Sequence, residues 1–174
     1  LFFQGTPERQ LALTNRYQET AKTPLLIALD AEWGLGMRLT SSLSYPQQMT
    51  LGAIENDQLI YDMGAKIARQ LKLIGVHINF APVMDVNSNP NNPVIGRRAF
   101  GEYPEQVAIQ GIAYMQGLQD YGILAVAKHF PGHGDTSVDS HNELPTLMHG
   151  KAQLGAVALY PFKMAIDAGL QGIM

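Results

Sequence analysis

PLLIALDAE, residues 24–32, is an unbroken apolar run that ends in two acids. A strand with one wet face alternates apolar and polar residues. A continuous apolar run instead marks a strand buried on both faces, as in a parallel sheet covered by helices. The pattern recurs in VHINFAPVMDV, residues 76–86, and in ILAVAKHF, residues 123–130. A fourth run begins at QGIM, residues 171–174.

Helical patterns fill the intervals. Thr6-Pro7-Glu8 reads as a helix start, with proline at the first helical position and an acid in the first turn, and predicts a helix to about Ala21. Ile60, Met63, Ile67, Leu71 and Ile74 recur at three- and four-residue spacing, and Gly75 sits where a C-terminal cap belongs. Pro104 opens a third helix with Ala108, Ile112, Met115 and Leu118 on its inner face, and Pro161 begins another.

Strand, loop, helix, strand in this order predicts a parallel α/β sheet. Each polar cluster (Asp30 to Glu32, Asp85 to Asn87, and residues 128–141) follows the C-terminal end of an apolar run, the edge on which α/β folds build sites. The glycine fingerprint of a dinucleotide fold does not follow the first run. The long loops favour a (β/α)8 barrel. Such a barrel needs eight strands and about 250 residues, whereas the 174 residues here hold three strands and the start of a fourth. The expectation is the N-terminal half of a (β/α)8 barrel over residues 6–174, cut inside the apolar run at Met174. LFFQG, residues 1–5, reads as a tag remnant and is set aside from the fold.

The bulk composition narrows the function. A net charge of −3 with no basic block argues against a nucleic-acid partner. The absence of cysteine removes disulfides, thiol catalysis and thiolate metal sites. No apolar run approaches the roughly 18 residues of a membrane span, and the compartment stays open.

Chemistry is concentrated in the segment KHFPGHGDTSVDSH, residues 128–141. Lys128 and His129 at the mouth of a buried strand can aim several donors at a polar ligand. Asp139 and His141, two apart, suit a carboxylate–imidazole pair in which the acid fixes the ring and leaves the second nitrogen to carry a proton. A capped turn with solvated side chains is the plainer alternative. Metal binding by His129, His133 and His141 with Asp135 or Asp139 is chemically adequate, but Pro131 breaks the helix that would align the first two histidines.

Asp30 and Glu32, also two apart, face one side of a strand end. They suit glycoside hydrolysis as paired acids; equally, one would bind sugar hydroxyls while the other holds an arginine, or both would form a structural ion pair. Arg97 and Arg98 lie in a loop downstream of Asp85, and one of them would fork to a ligand oxygen, steadied by that carboxylate. Trp33 is either a sugar-stacking platform or core. His77 reads as a satisfied core or barrel-end histidine, and His149 has no partner in sequence.

Together these segments resemble family 3 glycoside hydrolases, specifically the bacterial β-N-acetylglucosaminidase branch. KHFPGHGDTSVDSH is similar to that branch's signature almost without change, and LIALDAEWGLGMRL, FAPVMDVN, NPVIGRRAFG and LYPFKMAIDAGLQGIM follow in the family's order. The resemblance implies a retaining glycosidase that releases terminal β-linked N-acetylglucosamine from cell-wall or related glycans, without metal or organic cofactor. It implies that Asp30, Arg98, Lys128 and His129 clamp the terminal sugar, and that His141, oriented by Asp139, is the acid/base. It also makes Phe130–Pro131 a candidate cis bond that turns Lys128 and His129 inward.

Two departures stand out. The family usually has Glu-Gly-Gly where this chain has Glu32-Trp33-Gly34, which points to an altered pocket rim and aglycone preference. The family's nucleophile is an aspartate on a later strand; Asp167 lies in a helix pattern and does not match it. The chain alone is therefore expected to be inactive and to associate with the missing barrel half or another copy. The rival classes are a non-catalytic sugar-binding half-barrel and, less favoured by the residues, a metal-dependent hydrolase.

Overall fold

The computed structural model describes residues 2–137 and 150–174. Helix α1 (Pro7–Thr20) starts where Thr6 accepts a hydrogen bond from the Arg9 N–H at 3.2 Å. It is followed by β1 (Ala28–Leu29), the short α2 (Gln48–Leu51) and α3 (Asp57–Leu73). Then come β2 (Ile78–Asn79), α4 (Pro104–Asp120), β3 (Leu124–Ala127), α5 (Lys151–Ala156), α6 (Tyr160–Asp167) and β4 (Gly172–Ile173). The regular ladders are shorter than the apolar runs that announced them, because each run leaves the sheet to become a site loop.

The four strands lie in chain order, β1-β2-β3-β4, every pair parallel. Ala28 pairs with Ile78, Ile78 with Leu124, and Val126 with Gly172. Sequential parallel neighbours joined through helices are the arrangement of a (β/α)8 wall. The core lies between this sheet and the helices, with Leu29, Ile60, Ile67, Leu71, Tyr114, Leu118 and Phe162 among its buried side chains. Helices α3 and α4 meet backbone to backbone, since Gly64 faces the Tyr114 carbonyl and Gly117 the Tyr61 carbonyl. These helices supply the inner faces that the spacing anticipated, but α2 and α5 were missed: runs of 4 and 6 residues are too short to show a period.

Residues 2–5, set aside in the sequence reading, take part in the sheet. Phe2 bridges Leu29 in parallel on the side of β1 away from β2, and its N–H donates to the Ala28 carbonyl at 3.3 Å. Gly5 bridges Leu39, and Phe2 packs against the core. A run this short carries no readable periodicity, so only its pairing reveals its place.

Candidate active site

The site grows from the C-terminal ends of β1, β2 and β3. After β1, the backbone of Ala31 is clamped by the side chain of Asn79 from β2: the Ala31 N–H donates to Asn79 Oδ1 at 2.9 Å, and Asn79 Nδ2 donates back to the Ala31 carbonyl at 3.3 Å. Tyr114 Oη adds a hydrogen bond to the same carbonyl at 3.0 Å. Ala31 is the residue between Asp30 and Glu32, so this clamp fixes both carboxylates on one side.

The two acids then part company. Glu32 is fully buried and receives Arg98 in a fork, Nη2 to Oε1 at 2.7 Å and Nε to Oε2 at 3.0 Å, while Lys128 Nζ stands 2.8 Å from Oε1. Burial pushes the Glu32 carboxyl up. The Arg98 hydrogen bond and the charges of Lys128 and Arg98 outweigh it and hold the group below the ordinary carboxylate range. Burial likewise pushes the Arg98 guanidinium down, and the Glu32 bond and charge more than reverse it. Asp30 is more open. Lys128 Nζ reaches its Oδ1 at 2.7 Å and Arg38 Nη2 its Oδ2 at 3.0 Å, and its side chain keeps 14% exposure.

The third acid serves the other wall. Asp85 is fully buried; its Oδ2 accepts the His129 N–H at 3.1 Å and lies 2.6 Å from His129 Nδ1, and its Oδ1 accepts the His133 N–H at 2.6 Å. Arg98 Nη2 lies 3.2 Å from His129 Nε2. A guanidinium only donates, so Nε2 accepts and the ring proton sits on Nδ1, facing Asp85. Backbone pairing holds the wall: Val83 bridges Lys128, and the Met84 N–H donates to the Lys128 carbonyl at 2.6 Å. Gly134 passes so close to Val86 that a Cβ would collide with its carbonyl oxygen. The Lys128–His129, Phe130–Pro131 and Ala81–Pro82 bonds are cis; the second of these is the one the sequence nominated.

Asp30, Arg98, Lys128 and His129 therefore line one cavity of about 430 Å³, joined there by Glu32, Arg38 and His133. Asp139 and His141 lie outside the described residues, as does His149. Asp85 steadies His129 and the His133 backbone rather than an arginine, and Glu32 is the carboxylate that forks to Arg98. Arg97 is exposed and away from this network. Asp167 is exposed at the last turn of α6. His77 is an exposed histidine at the N-terminal end of β2, where Nδ1 accepts the Ile27 N–H at 3.1 Å. His133 is buried, with Nδ1 beside Thr136 Oγ1 and Nε2 without a hydrogen-bond partner among the described residues.

Three contributors, Arg38, Asn79 and Tyr114, escaped the sequence reading. Arg38 reaches Asp30 from eight residues on because a turn of 3-10 helix, Leu35–Met37, folds the chain back. Asn79 carried a signal, a lone amide within an otherwise apolar run, that was not used.

A family model described as Glycosyl hydrolase family 3 N terminal domain matches residues 5–174. Beta-hexosaminidase A of Pseudoalteromonas piscicida is 38% identical over 174 residues, covering 94% of this chain and 29% of the relative. A beta-hexosaminidase of Nitrosomonas eutropha is 37% identical over 176 residues, covering 97% of this chain and 50% of the relative. Among solved structures, a glycoside hydrolase family 3 beta-N-acetylglucosaminidase from Paenibacillus sp. str. FPU-7 superposes with a TM-score of 0.91 at 38% identity, covering 98% of this chain and 35% of that one. The chain thus spans half or less of the length of these relatives.

Proposed function

The chain belongs to glycosyl hydrolase family 3 through that family's N-terminal domain, and on this premise we propose that it supplies the sugar clamp and the acid/base of a retaining β-N-acetylglucosaminidase. The observation that supports this reading most is the convergence of Asp30, Lys128, Arg98 and His129 on one cavity at the C-terminal strand ends. Two carboxylates (Asp30, Glu32) and three cations (Arg38, Arg98, Lys128) line it, and Asp85 behind His129 is the third acid of the group. A neutral sugar then enters a preorganised set of donors and acceptors without having to balance a charge.

Asp30, the most open of the three acids, accepts hydrogen bonds from sugar hydroxyls. Lys128 spends two donors on Asp30 and Glu32 and turns its third to the ligand. Glu32 does not touch the sugar; it holds Arg98. Asp139 and His141 form the acid/base pair, the imidazole protonating the leaving oxygen and then activating water. The nucleophile is a carboxylate from a later strand, about 5–5.5 Å from the acid/base in a retaining site. No step in this scheme calls for a metal or organic cofactor.

In the full-length enzyme, a chromogenic β-N-acetylglucosaminide is expected to be hydrolysed selectively over the matching β-glucoside. His141→Ala should cut turnover about 10²–10⁴-fold, most for aglycones with poor leaving groups. Wild-type turnover of a poor-leaving-group substrate by that variant would refute the acid/base assignment. Saturable binding of N-acetylglucosamine without hydrolysis in the full-length wild type would favour a binding module instead.

A further inference from the structure

We propose that Phe3, in the segment set aside in the sequence reading, is a positioning residue for the sugar clamp. Its ring holds the Arg38 guanidinium against Asp30, the carboxylate that meets the sugar. The inference rests on the glycosidase reading above and adds to it a residue from outside the four strands.

Backbone pairing pins the segment at both ends. Phe2 bridges Leu29 at its start. At its end the Gly5 carbonyl accepts the Thr40 N–H at 2.9 Å and Thr40 Oγ1 at 3.2 Å, beside the parallel bridge from Gly5 to Leu39. An extended chain sends successive side chains to opposite faces. Phe2 turns to the helix layer, where its ring lies 6.1 Å from that of Tyr17 in α1. Phe3 turns the other way and lines the sugar cavity with Asp30, Arg38 and Lys128. Arg38 directly precedes Leu39, so the bridge that fixes Gly5 also brings Arg38 to Phe3.

The contact is electrostatic as well as steric. Arg38 Cζ stands over the Phe3 ring, 5.0 Å from its centroid, inside the roughly 6 Å reach of a cation–π attraction. From that seat Nη2 reaches Asp30 Oδ2 at 3.0 Å. The Arg38 side chain keeps 23% exposure and its Nε is shut off from water. The attraction therefore acts on a partly desolvated charge, where it is stronger than at an open surface. Arginine has many rotamers to lose when it is held in one place. A ring that holds it there beforehand lowers the cost of its bond to Asp30. Without the ring, Asp30 keeps its firm partner only on Oδ1, where Lys128 Nζ lies 2.7 Å away. The carboxylate then loses its set direction toward the sugar hydroxyls. Phe3 thus acts through Arg38 and Asp30, and its effect falls on binding rather than on bond cleavage.

The test uses the full-length enzyme, with KM and kcat on a chromogenic β-N-acetylglucosaminide and Kd for N-acetylglucosamine. Phe3→Leu keeps an apolar side chain and removes the π face. KM and Kd should rise about three- to tenfold, the scale of one cation–π contact, with kcat unchanged. Phe3→Tyr, which keeps the ring, should restore both. In an Arg38→Met background Phe3→Leu should add nothing, because its partner is gone. Phe3→Met serves the same purpose where Phe3→Leu does not fold. Unchanged KM and Kd in the folded variant, or an equal rise in the Arg38→Met background, would overturn the proposal. A wild type that binds N-acetylglucosamine without hydrolysis would remove the glycosidase reading and leave Kd, through the same variants, to decide for or against Phe3. A wild type that neither binds nor hydrolyses would sink both.

Discussion

The two ends of the same sheet are built on different principles. At the N-terminal edge, strand partners satisfy one another through backbone: the His77 N–H donates to the Ile27 carbonyl at 2.9 Å, and the Leu124 N–H to the His77 carbonyl at 2.9 Å. Leu26 and Leu124 stand exposed there without consequence for chemistry. At the C-terminal edge, a side-chain network is added to the backbone pairing, and each buried acid is matched to a cation or to backbone donors. The difference teaches where the chain has placed its costs. One edge can lose a polar side chain and let water replace it; at the other, Glu32, Asp85 and Lys128 are shut off from water, and a charge orphaned among them stays buried.

The largest effect should follow from breaking the C-terminal edge at its centre. Lys128 is buried and contacts both Asp30 and Glu32. Lys128→Met keeps the volume but leaves Glu32 buried with Arg98 alone and Asp30 with Arg38 alone. A loss of about 3–5 kcal/mol is the scale for stripping one partner from a buried pair, read as a lower denaturant midpoint of the full-length enzyme. A loss below about 1 kcal/mol would show that the edge is wetter than its geometry and would dissolve the contrast.

A smaller effect comes from titrating one acid rather than deleting a cation. Glu32 is held below its ordinary range in the folded protein, so it contributes stability that is present above the unfolded carboxylate value, about 4.3. That contribution is lost as pH falls from there through the folded value. Wild-type melting temperature should therefore drop steeply in acid below about pH 4. Glu32→Gln should melt lower at pH 7 yet show a shallower acid slope. Parallel slopes for the two proteins would place the acid sensitivity elsewhere in the network.

The same contrast explains what the sequence could reveal. Apolar runs and caps made the parallel α/β plan legible, since burial on two faces leaves a one-dimensional trace in 24–32, 76–86 and 123–130. The membership of Asp30, Arg98, Lys128 and His129 in one cavity was legible through resemblance and strand-end position. Which carboxylate serves which cation was not. Asp85 and Glu32 are each within a plausible loop's reach of an arginine, and only the Asn79 clamp on Ala31 and the pairing of Val83 with Lys128 decide that Glu32 takes Arg98 and Asp85 takes His129. Arg38 was hidden for the same reason, because its approach to Asp30 depends on a three-residue turn.

The smallest effect belongs to the N-terminal edge. His77 accepts the Ile27 N–H at 3.1 Å and is otherwise exposed. In His77→Ala, solvent at this edge takes over the donor, so the expected loss is that of one ordinary hydrogen bond, about 0.5–1.5 kcal/mol, with unchanged kcat and KM on a chromogenic β-N-acetylglucosaminide. The histidine at the other edge, His129, makes the comparison sharp. Both rings use Nδ1, but His77 meets a single backbone donor, whereas His129 sits between a buried carboxylate and a guanidinium. If His77→Ala costs as much stability as Lys128→Met, or moves KM, the N-terminal edge is coupled to the site and the division between the two ends of the sheet fails.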